Sequence, residues 1–242
     1  MLKVVLRKSL PKLEIDIAFS CPDGGLLALV GPSGSGKTTI CRMVAGLDRP
    51  DEGVVICGEE TWCDTQAHKW IRVQERGIGF LFQDYTLFPH MSVWENIKFA
   101  TQDPALSQRL LYLLGIEHLK DRRPCSISGG ERQRAALAQA LSRRPKVLIL
   151  DEPFSALDLE TRSSLRRLIL DIKKRFCLPI LFVTHDLYDA YALADEIVPV
   201  SHGRHAPEWL AGVEASLLGA PPVVRLEVDQ GEVRDSLKGV SF

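Results

Sequence analysis

No apolar run in these 242 residues approaches 18 in length, so no segment is expected to cross a membrane as a helix. The opening stretch MLKVVLRKSL lacks a long apolar core, and no signal peptide is expected. There is no CxxC pair. The six cysteines, Cys21, Cys41, Cys57, Cys63, Cys125 and Cys177, have no histidine cluster beside them at a zinc spacing. They read as reduced, mostly buried small hydrophobes of a cytosolic protein, and a structural disulfide is not expected. There is no polybasic surface either. Thirty basic residues face 31 acidic ones, for a net charge of −1. Runs such as Arg122-Arg123 and Lys173-Lys174-Arg175 are scattered and read as solvated helix faces or ends, so no nucleic-acid partner is expected. Internal repeats and low-complexity segments are lacking. What remains is an ordinary globular composition, 45% hydrophobic and 25% charged. The length suits one large domain, or one domain with an inserted subdomain.

Short strands are expected at 2–6 and 13–19, then a buried strand at 24–31 ending in glycine. A helix follows from about Lys37 to Gly46, where glycine stops it. Residues 52–58 read as another strand, and GIGFLFQD (77–84) as a strand buried on both faces. The pattern then turns helical. Ser92 and Glu95 form one capping box, and RQRAALAQALSRRP is rich in strong helix formers. Buried strands return at KVLILDEP (146–153) and PILFVTHD, separated by the amphipathic RSSLRRLILDIKKR and followed by the helical LYDAYALAD. The order predicts an α/β parallel sheet with helices on its faces and an all-helical insert. A strand is possible at 223–228.

GPSGSGKT, Gly31 to Thr38, matches GxxxxGK[ST] between a strand and a helix. Its glycines let backbone N–H groups wrap phosphates, Lys37 carries charge to the β/γ end, and Thr38 can bind Mg²⁺. VLILDE places Asp151 and Glu152 at the C-terminal end of a buried strand, the edge where ligands of such sheets bind. Asp151 can hold the metal. Glu152 is placed to orient or deprotonate a water. His185, in VTHD, ends the next buried strand, and a γ-phosphate contact there stands against a merely structural role. Gln83 ends FLFQ at the same edge and can ligate Mg²⁺ or hold a water.

SISGGERQR, 126–134, poses a question. Ser128 and Glu131 read as a capping box at a helix start, with Gly129 and Gly130 leaving bare N–H groups that an anion could approach. A chain with one phosphate loop has a second anion site to explain.

Gly31–Thr38, Gln83, ISGGE, VLILDE, SALD (155–158) and His185 occur in order and with familiar gaps. Together they resemble the nucleotide-binding subunit of an ABC transporter, over about residues 1–205. The resemblance implies a P-loop NTPase (RecA-like) fold: a parallel sheet with an N-terminal antiparallel β subdomain and an inserted all-helical subdomain. It implies one domain over 1–242, with its core in 1–83 and 146–205, the helical subdomain in 84–145 and a short tail in 206–242. ATP and Mg²⁺ are the implied cofactors. The implied phosphate cradle runs through Gly31, Pro32, Ser33, Gly34, Ser35, Gly36, Lys37, Thr38 and Thr39. Thr38, Gln83 and Asp151 would hold the metal, and Glu152, His185 and Gln83 would serve hydrolysis. The resemblance also answers the question above. In that family two copies pack head to tail, and Ser128, Gly129 and Gly130 of one would face the γ-phosphate held by the other. Asp158 resembles the aspartate that links the two sites.

Two positions depart from the family pattern. Glu131 stands where glutamine is usual, with its capping role kept. The family also usually has an aromatic residue that stacks on adenine upstream of the phosphate loop. Here that region is Arg7–Lys8–Ser9–Leu10, and no aromatic precedes Phe19. Arg7 could cover a base by cation–π contact, or a different ring such as Phe19 could take the role.

RGIGFLFQDYTLFPHMSVWENI is similar to the ATPases of binding-protein-dependent oxyanion importers, especially for molybdate, and more distantly for sulfate, iron, polyamine and sugar. The resemblance implies a peripheral protein on the cytoplasmic face of the membrane. Its partners would be permease subunits docking near Tyr85–Met91 and, indirectly, a solute-binding protein. Tyr85, Leu87, Phe88, Pro89 and Met91 put five apolar or aromatic residues in seven positions, an interaction cluster unless they fill the chain's own core. About 40 residues follow His202, too few for a separate regulatory domain. A small exporter remains an alternative. So does a soluble ABC-type ATPase acting on DNA or ribosomes. The 44 residues between Gln83 and Ser128 leave no room for a coiled-coil insertion, and only one cassette is present.

Overall fold

Three five-residue runs, Leu26–Val30 (β3), Val147–Asp151 (β8) and Ile180–Thr184 (β9), are buried at every position and pair in parallel in the order β3-β9-β8. Strands covered on both faces need no polar alternation, so their sequences are continuously apolar. The computed structural model describes residues 1–84, 86–155, 157–218 and 233–234. Ile78–Leu81 (β7) extends the parallel block beyond β8, and Glu196–Ser201 (β10) extends it beyond β3.

Successive side chains in these strands serve two cores. Leu27, Leu29, Ile149 and Val183 share one with Ile40, Met43 and Val44 of helix α1 (Lys37–Ala45). Leu26, Ala28, Leu148 and Phe182 share the other with helices α4 (Gly129–Ser142), α5 (Leu159–Phe176) and α6 (Leu187–Leu193). Each fully buried Leu, Ile or Phe contributes about 1.5–3 kcal/mol relative to exposure, so the parallel block is the rigid part of the fold.

The N-terminal half is antiparallel. Leu2–Leu10 (β1) and Leu13–Cys21 (β2) form a tight hairpin, paired from Leu2↔Cys21 to Leu10↔Leu13. Glu52–Cys57 (β4), Glu60–Asp64 (β5) and Lys69–Trp70 (β6) continue from β1. Arg204–His205 (β11) bridges β2 to β10 and closes one 11-stranded sheet, β6-β5-β4-β1-β2-β11-β10-β3-β9-β8-β7. Between residues 84 and 145 the described residues form helices alone: α2 (Val93–Ala100), α3 (Pro104–Leu113), two single 3₁₀ turns and α4. Both expected capping boxes are present, with Ser92 accepting from the Glu95 N–H at 3.2 Å and Ser128 from the Glu131 N–H at 3.3 Å. Among the described residues no helix is long and apolar enough to cross a membrane.

Several expectations need correction. Among the described residues β7 is an edge strand, and only Gly79 and Leu81 are buried; Ile78 and Phe80, on the other face, are half-buried because the two faces are covered unequally. β1 and β2 are longer than their apolar cores suggest. Lys8 and Ser9 stay in β1 because the Lys8 Nζ donates to the Arg49 carbonyl at 2.5 Å and the Ser9 N–H to Asp51 at 2.7 Å. β5, β6, β10, β11 and the helix α7 (Pro207–Leu218) were not anticipated. Pro199 disguises β10, since a proline ordinarily argues against an interior strand. The possible strand at 223–228 lies outside the described residues. Four cysteines are buried, Cys125 and Cys177 are exposed, and all six are free thiols.

Candidate nucleotide site

β3, β9, β8 and β7 end in register. Val30 lies beside Thr184, Val183 beside Asp151, and Leu150 beside Leu81. Gly31, His185 and Glu152 therefore leave the sheet along one edge, with Gln83 two residues past Leu81. This is the C-terminal edge of the parallel strands, beside the point where the chain crosses from β3 to either side.

The loop after β3 is shaped by two glycines. A Cβ on Gly31 would stand 1.9 Å from the Val200 carbonyl oxygen, so a side chain has no room there. Gly36 holds φ of 100° at the N-cap of α1 and gives that helix no side-chain cap. A Cβ there would also meet Leu13 Cδ2 at 3.0 Å. The first N–H groups of α1 are thus left for an incoming anion.

Lys37 is buried in this loop. Its ammonium donates to the Gly31 carbonyl at 2.7 Å, the Pro32 carbonyl at 2.9 Å and the Ser35 hydroxyl at 3.4 Å. Burial pushes its pKa down, against the opposing charges of Glu152 and Asp151. Asp151 is also buried. Desolvation raises its pKa, and the neighbouring Glu152 charge adds to this, while the Thr38 hydroxyl, donating at 3.2 Å, works the other way. Glu152 holds φ of 50°, a left-handed conformation that costs a non-glycine residue energy and collects at functional sites. Its N–H donates to the Val183 carbonyl at 3.1 Å, and its carboxylate meets His185 Nδ1 at 2.8–2.9 Å. The histidine here is the partner of Glu152.

Gln83, Glu152, His185 and the loop residues Ser33 to Thr39 line one cavity of about 370 Å³, together with Leu13. Leu13 was missed by sequence reading, since the chemical motifs are polar. The Thr38 hydroxyl and Asp151 carboxylate, 3.2 Å apart, are hard oxygen donors of the type Mg²⁺ takes, and the Gln83 amide stands on the same rim. Among the described residues no group of three or more His, Cys, Asp or Glu could hold a metal alone.

Ser128, Gly129, Gly130 and Asp158 do not line this cavity. Ser128 caps α4, and Glu131 Oε2 accepts from both the Ser128 N–H at 2.8 Å and its hydroxyl at 2.9 Å. Asp158 caps α5 by accepting from the Thr161 N–H at 2.9 Å and the Thr161 hydroxyl at 2.7 Å. The two glycines differ. A Cβ on Gly130 would strike Thr161 Cγ2 at 2.5 Å, so internal packing requires glycine there. A Cβ on Gly129 would meet nothing within 4 Å, and the chain's own folding does not require that glycine.

A second group was not seen in the sequence. Arg162, one turn into α5, binds both Asp186, next to His185, and the fully buried Asp189. Arg166 binds Asp189 at 2.5 Å and lies 4.6 Å over the Tyr188 ring. This clamp ties the helix after Asp158 to the turn that carries His185.

The ABC transporter family model matches residues 15–155, more than half of the chain and with it the phosphate loop, the Ser128 helix and Asp151–Glu152. The chain belongs to the ABC transporter family. It is 48% identical over 198 residues to the sulfate/thiosulfate import ATP-binding protein CysA 2 of Agrobacterium fabrum, a match covering 78% of this chain and 56% of that one. It is 43% identical over 190 residues to the probable sulfate/thiosulfate import ATP-binding protein CysA of Chlorella vulgaris, covering 75% and 78%. The chain spans about half the length of most of the curated relatives it matches. Among solved structures it resembles the dimeric bacterial ABC transporter cassette MJ0796, with a TM-score of 0.70 and 26% identity over 85% of this chain and 96% of that one. It also resembles cbiO1 of Clostridium perfringens, part of the cbiONQ ABC transporter complex, with a TM-score of 0.73 and 26% identity over 90% and 95%. The ABC cassette fold expected from the sequence is the observed one.

In this ABC cassette the segment after Gln83 sits by a second cavity, of about 580 Å³, whose walls include Phe80, Phe82, Phe88 and Phe99. Tyr85 lies outside the described residues. Leu87 is buried in the chain's own core, so it is not part of an exposed cluster. Phe88 is half-buried and packs edge-on to Phe99 at 4.8 Å, and Phe99 itself is exposed. Asn96, fully buried, holds this loop by accepting from the Phe88 N–H at 2.7 Å and donating to the carbonyls of Phe88, Met91 and Ser92.

Proposed function

We propose that this chain is the Mg²⁺-dependent ATPase subunit of a membrane importer for an oxyanion. The row of residues at the sheet edge carries the proposal. A helix N-terminus without a side-chain cap, a buried lysine, the Thr38 hydroxyl and a Glu–His pair line one cavity, with the Asp151 carboxylate 3.2 Å from Thr38. Lys37 and the loop N–H groups would hold the triphosphate. Thr38 and Asp151, with Gln83 nearby, would hold Mg²⁺, which neutralises phosphate charge when bound. Glu152 would orient and deprotonate the attacking water, with His185 fixing its carboxylate. The test is nucleotide binding and turnover by variants. Lys37→Ala is expected to lose binding. Glu152→Gln is expected to keep binding and lose turnover by roughly 10²–10⁴-fold, the usual contribution of a positioned base. Full turnover in Glu152→Gln would refute the assignment.

The reading includes a second copy, packed head to tail. Its support is that Ser128, Gly129, Gly130 and Asp158 lie outside the phosphate cavity, and that Gly129 faces open space. Ser128→Arg should then abolish turnover while a monomer still binds ATP, and mixing it with Lys37→Ala chains should restore part of the activity. Turnover by Ser128→Arg alone would rule out the dimer.

We assign the permease to the cavity walled by Phe82, Phe88 and Phe99, and the resemblance to importer ATPases supports a place on the cytoplasmic face of the membrane. An aspartate at Phe88 should spare isolated turnover and uncouple transport; normal uptake would exclude this surface. The cargo class rests on the sulfate/thiosulfate names of the relatives and on the likeness of residues 76–97 to oxyanion importers, molybdate included. Uptake of sulfate, thiosulfate, molybdate and tungstate by cells with and without this chain decides among them.

A further inference from the structure

The hydroxyl of Ser128 has one proton to donate, and Glu131 holds it. Glu131 Oε2 accepts from the Ser128 N–H at 2.8 Å and from its hydroxyl at 2.9 Å, while the hydroxyl oxygen accepts from the Glu131 N–H at 3.3 Å. The Ser128 N–H, and after it the hydroxyl, hold the Glu131 carboxyl below the usual carboxylate range, so Glu131 is charged at neutral pH. A phosphate oxygen that reached Ser128 would therefore meet a hydroxyl whose proton is already given away, with a negative charge behind it. Glutamine at this position would cap the helix equally without that charge.

The other oxygen of Glu131 faces a histidine. His118 lies in the 3₁₀ turn Glu117–Leu119, is exposed, and brings Nε2 to 3.6 Å from Glu131 Oε1. The charged groups on the elements around this helix start are engaged elsewhere. On α4, Arg132 donates to the Pro124 carbonyl at 3.1 Å, and Arg134 donates to the Leu114 carbonyl at 2.9 Å and the Ser164 hydroxyl at 2.7 Å. On α5, Asp158 accepts from Thr161, and Arg162 is bound by Asp186 and Asp189. Beside His118, Glu117 accepts from the Gln108 amide at 2.6 Å, and Lys120 lies 4.3 Å over the Trp94 ring. Ahead of Ser128, the charge of Arg123 acts on Glu95. Glu160 and Cys125 are exposed and bonded to neither His118 nor Glu131 among the described residues. Histidine is the side chain that ordinarily changes charge between about pH 5 and 8.

We infer that His118 is a positioning residue for the Ser128 hydroxyl: as an imidazolium it balances the Glu131 carboxylate through Oε1, which lets the hydroxyl turn its hydrogen bond to the phosphate held by a second copy. The neutral imidazole leaves the Glu131 charge uncompensated and the hydroxyl bound to it. Turnover of paired chains is then greater while His118 is charged. The inference rests on the head-to-tail reading, in which Ser128 meets phosphate.

Steady-state ATP turnover of the 242-residue chain at saturating Mg²⁺ and ATP, at about pH 6 and about pH 8, tests this. His118→Gln should lose roughly two- to fivefold at the lower pH, the scale of one exposed ion pair, and match the unaltered chain at the higher. His118→Lys, charged at both, should keep the turnover of the unaltered chain at the lower pH and exceed it at the higher. In Glu131→Gln the charge to be balanced is gone, so adding His118→Gln should change nothing at either pH. ATP binding should be the same in all of them, since neither residue lines the phosphate cavity. A His118→Gln chain with the pH dependence of the unaltered chain would overturn the inference. So would an equal loss at both pH values, the mark of a merely structural histidine, or a loss that persists in Glu131→Gln. The Ser128→Arg chain separates this from the reading beneath it. If that chain is inactive while the His118 variants behave as the unaltered chain, only the role of His118 is wrong. If it turns over ATP, the head-to-tail reading and the inference fall together.

Discussion

Asp189 has no solvent exposure and faces two guanidinium groups, whose side chains are only 20% (Arg162) and 17% (Arg166) exposed. Arg162 Nε lies 3.1 Å from both of its oxygens and Arg166 Nε 2.6 Å from one. Replacing Asp189 by alanine removes the shared acceptor, leaves Arg162 to Asp186 alone and deprives the largely buried Arg166 of its carboxylate. Breaking a buried pair in this way costs about 3–5 kcal/mol, whereas an exposed pair is worth about 0–1 kcal/mol. Urea denaturation of the variant should therefore show a loss near the upper range. The loss should reach function too. Arg162 also holds Asp186, which precedes α6 and follows His185, so freeing Arg162 loosens the turn that sets His185 against Glu152. Turnover should fall more than nucleotide affinity, because the phosphate loop is not part of the clamp. Asp189→Glu, which restores the charge, should recover part of both losses. A stability loss below about 1 kcal/mol would show that the clamp behaves as a surface pair, and the argument from burial would be wrong.

Asp151 gives a prediction of opposite sign. Its folded pKa is raised, chiefly by desolvation, so the folded state favours the protonated form; the destabilisation of the ligand-free chain sets in as pH rises past the ordinary carboxylate value and is complete above the folded one. Asp151→Asn should raise the melting temperature at neutral pH, lose Mg²⁺-dependent turnover, and show little stability difference below the ordinary carboxylate range. Asp186 is the reverse case: burial alone would raise its pKa, but Arg162 holds it lowered. Its contribution is present above the ordinary carboxylate value and is lost as pH falls through the lowered one, so Asp186→Asn should flatten the acid limb of stability measured by circular dichroism. Gly36→Ala meets both a positive φ and Leu13 Cδ2, and should cost about 1 kcal/mol or more of stability together with nucleotide binding measured by calorimetry. Gly129→Ala should leave the melting temperature unchanged, since no atom of the chain waits for its Cβ, and should lower turnover if a second copy approaches there.

The parallel block was legible because its strands are covered on both faces. β3, β8 and β9 are apolar at nearly every position, and their short length and the turn residues that bound them separate them from a buried helix segment. β7 carries the same signal with a different cause: Phe80 and, just past the strand, Phe82 stack at 4.0 Å on the wall of the second cavity, at the edge of the sheet among the described residues. Apolar composition records that a side chain avoids water, not which element covers it. β5 and β6 failed in the other direction. The short run of β5 holds Trp62 and Cys63 between polar residues, β6 is two residues long, and Arg76 donates to the Trp62 carbonyl beneath them. That arginine is fully buried and has no carboxylate partner among the described residues. It donates to the carbonyls of Ile71, Met43, Val44 and Trp62 and lies 4.4 Å over the Trp70 ring, while burial lowers its pKa to about 10. Nothing in its sequence neighbourhood separates such an arginine from a solvated one.

The same distinction governs the site. Gly31, Lys37, Thr38, Asp151 and Glu152 stand out in the sequence because the chemistry proposed for them demands particular residue types at fixed spacing within one segment. Leu13 has no such signature. It reaches Gly36 only because β1 and β2 turn back at Pro11–Lys12 and lay the start of β2 over the phosphate loop. Any apolar residue of similar size would satisfy the packing there. A motif names the groups that act on charge, because charge is selective about its partners. The apolar wall that meets the uncharged part of a ligand is set by the fold, and it becomes visible only when strands distant in sequence are placed side by side.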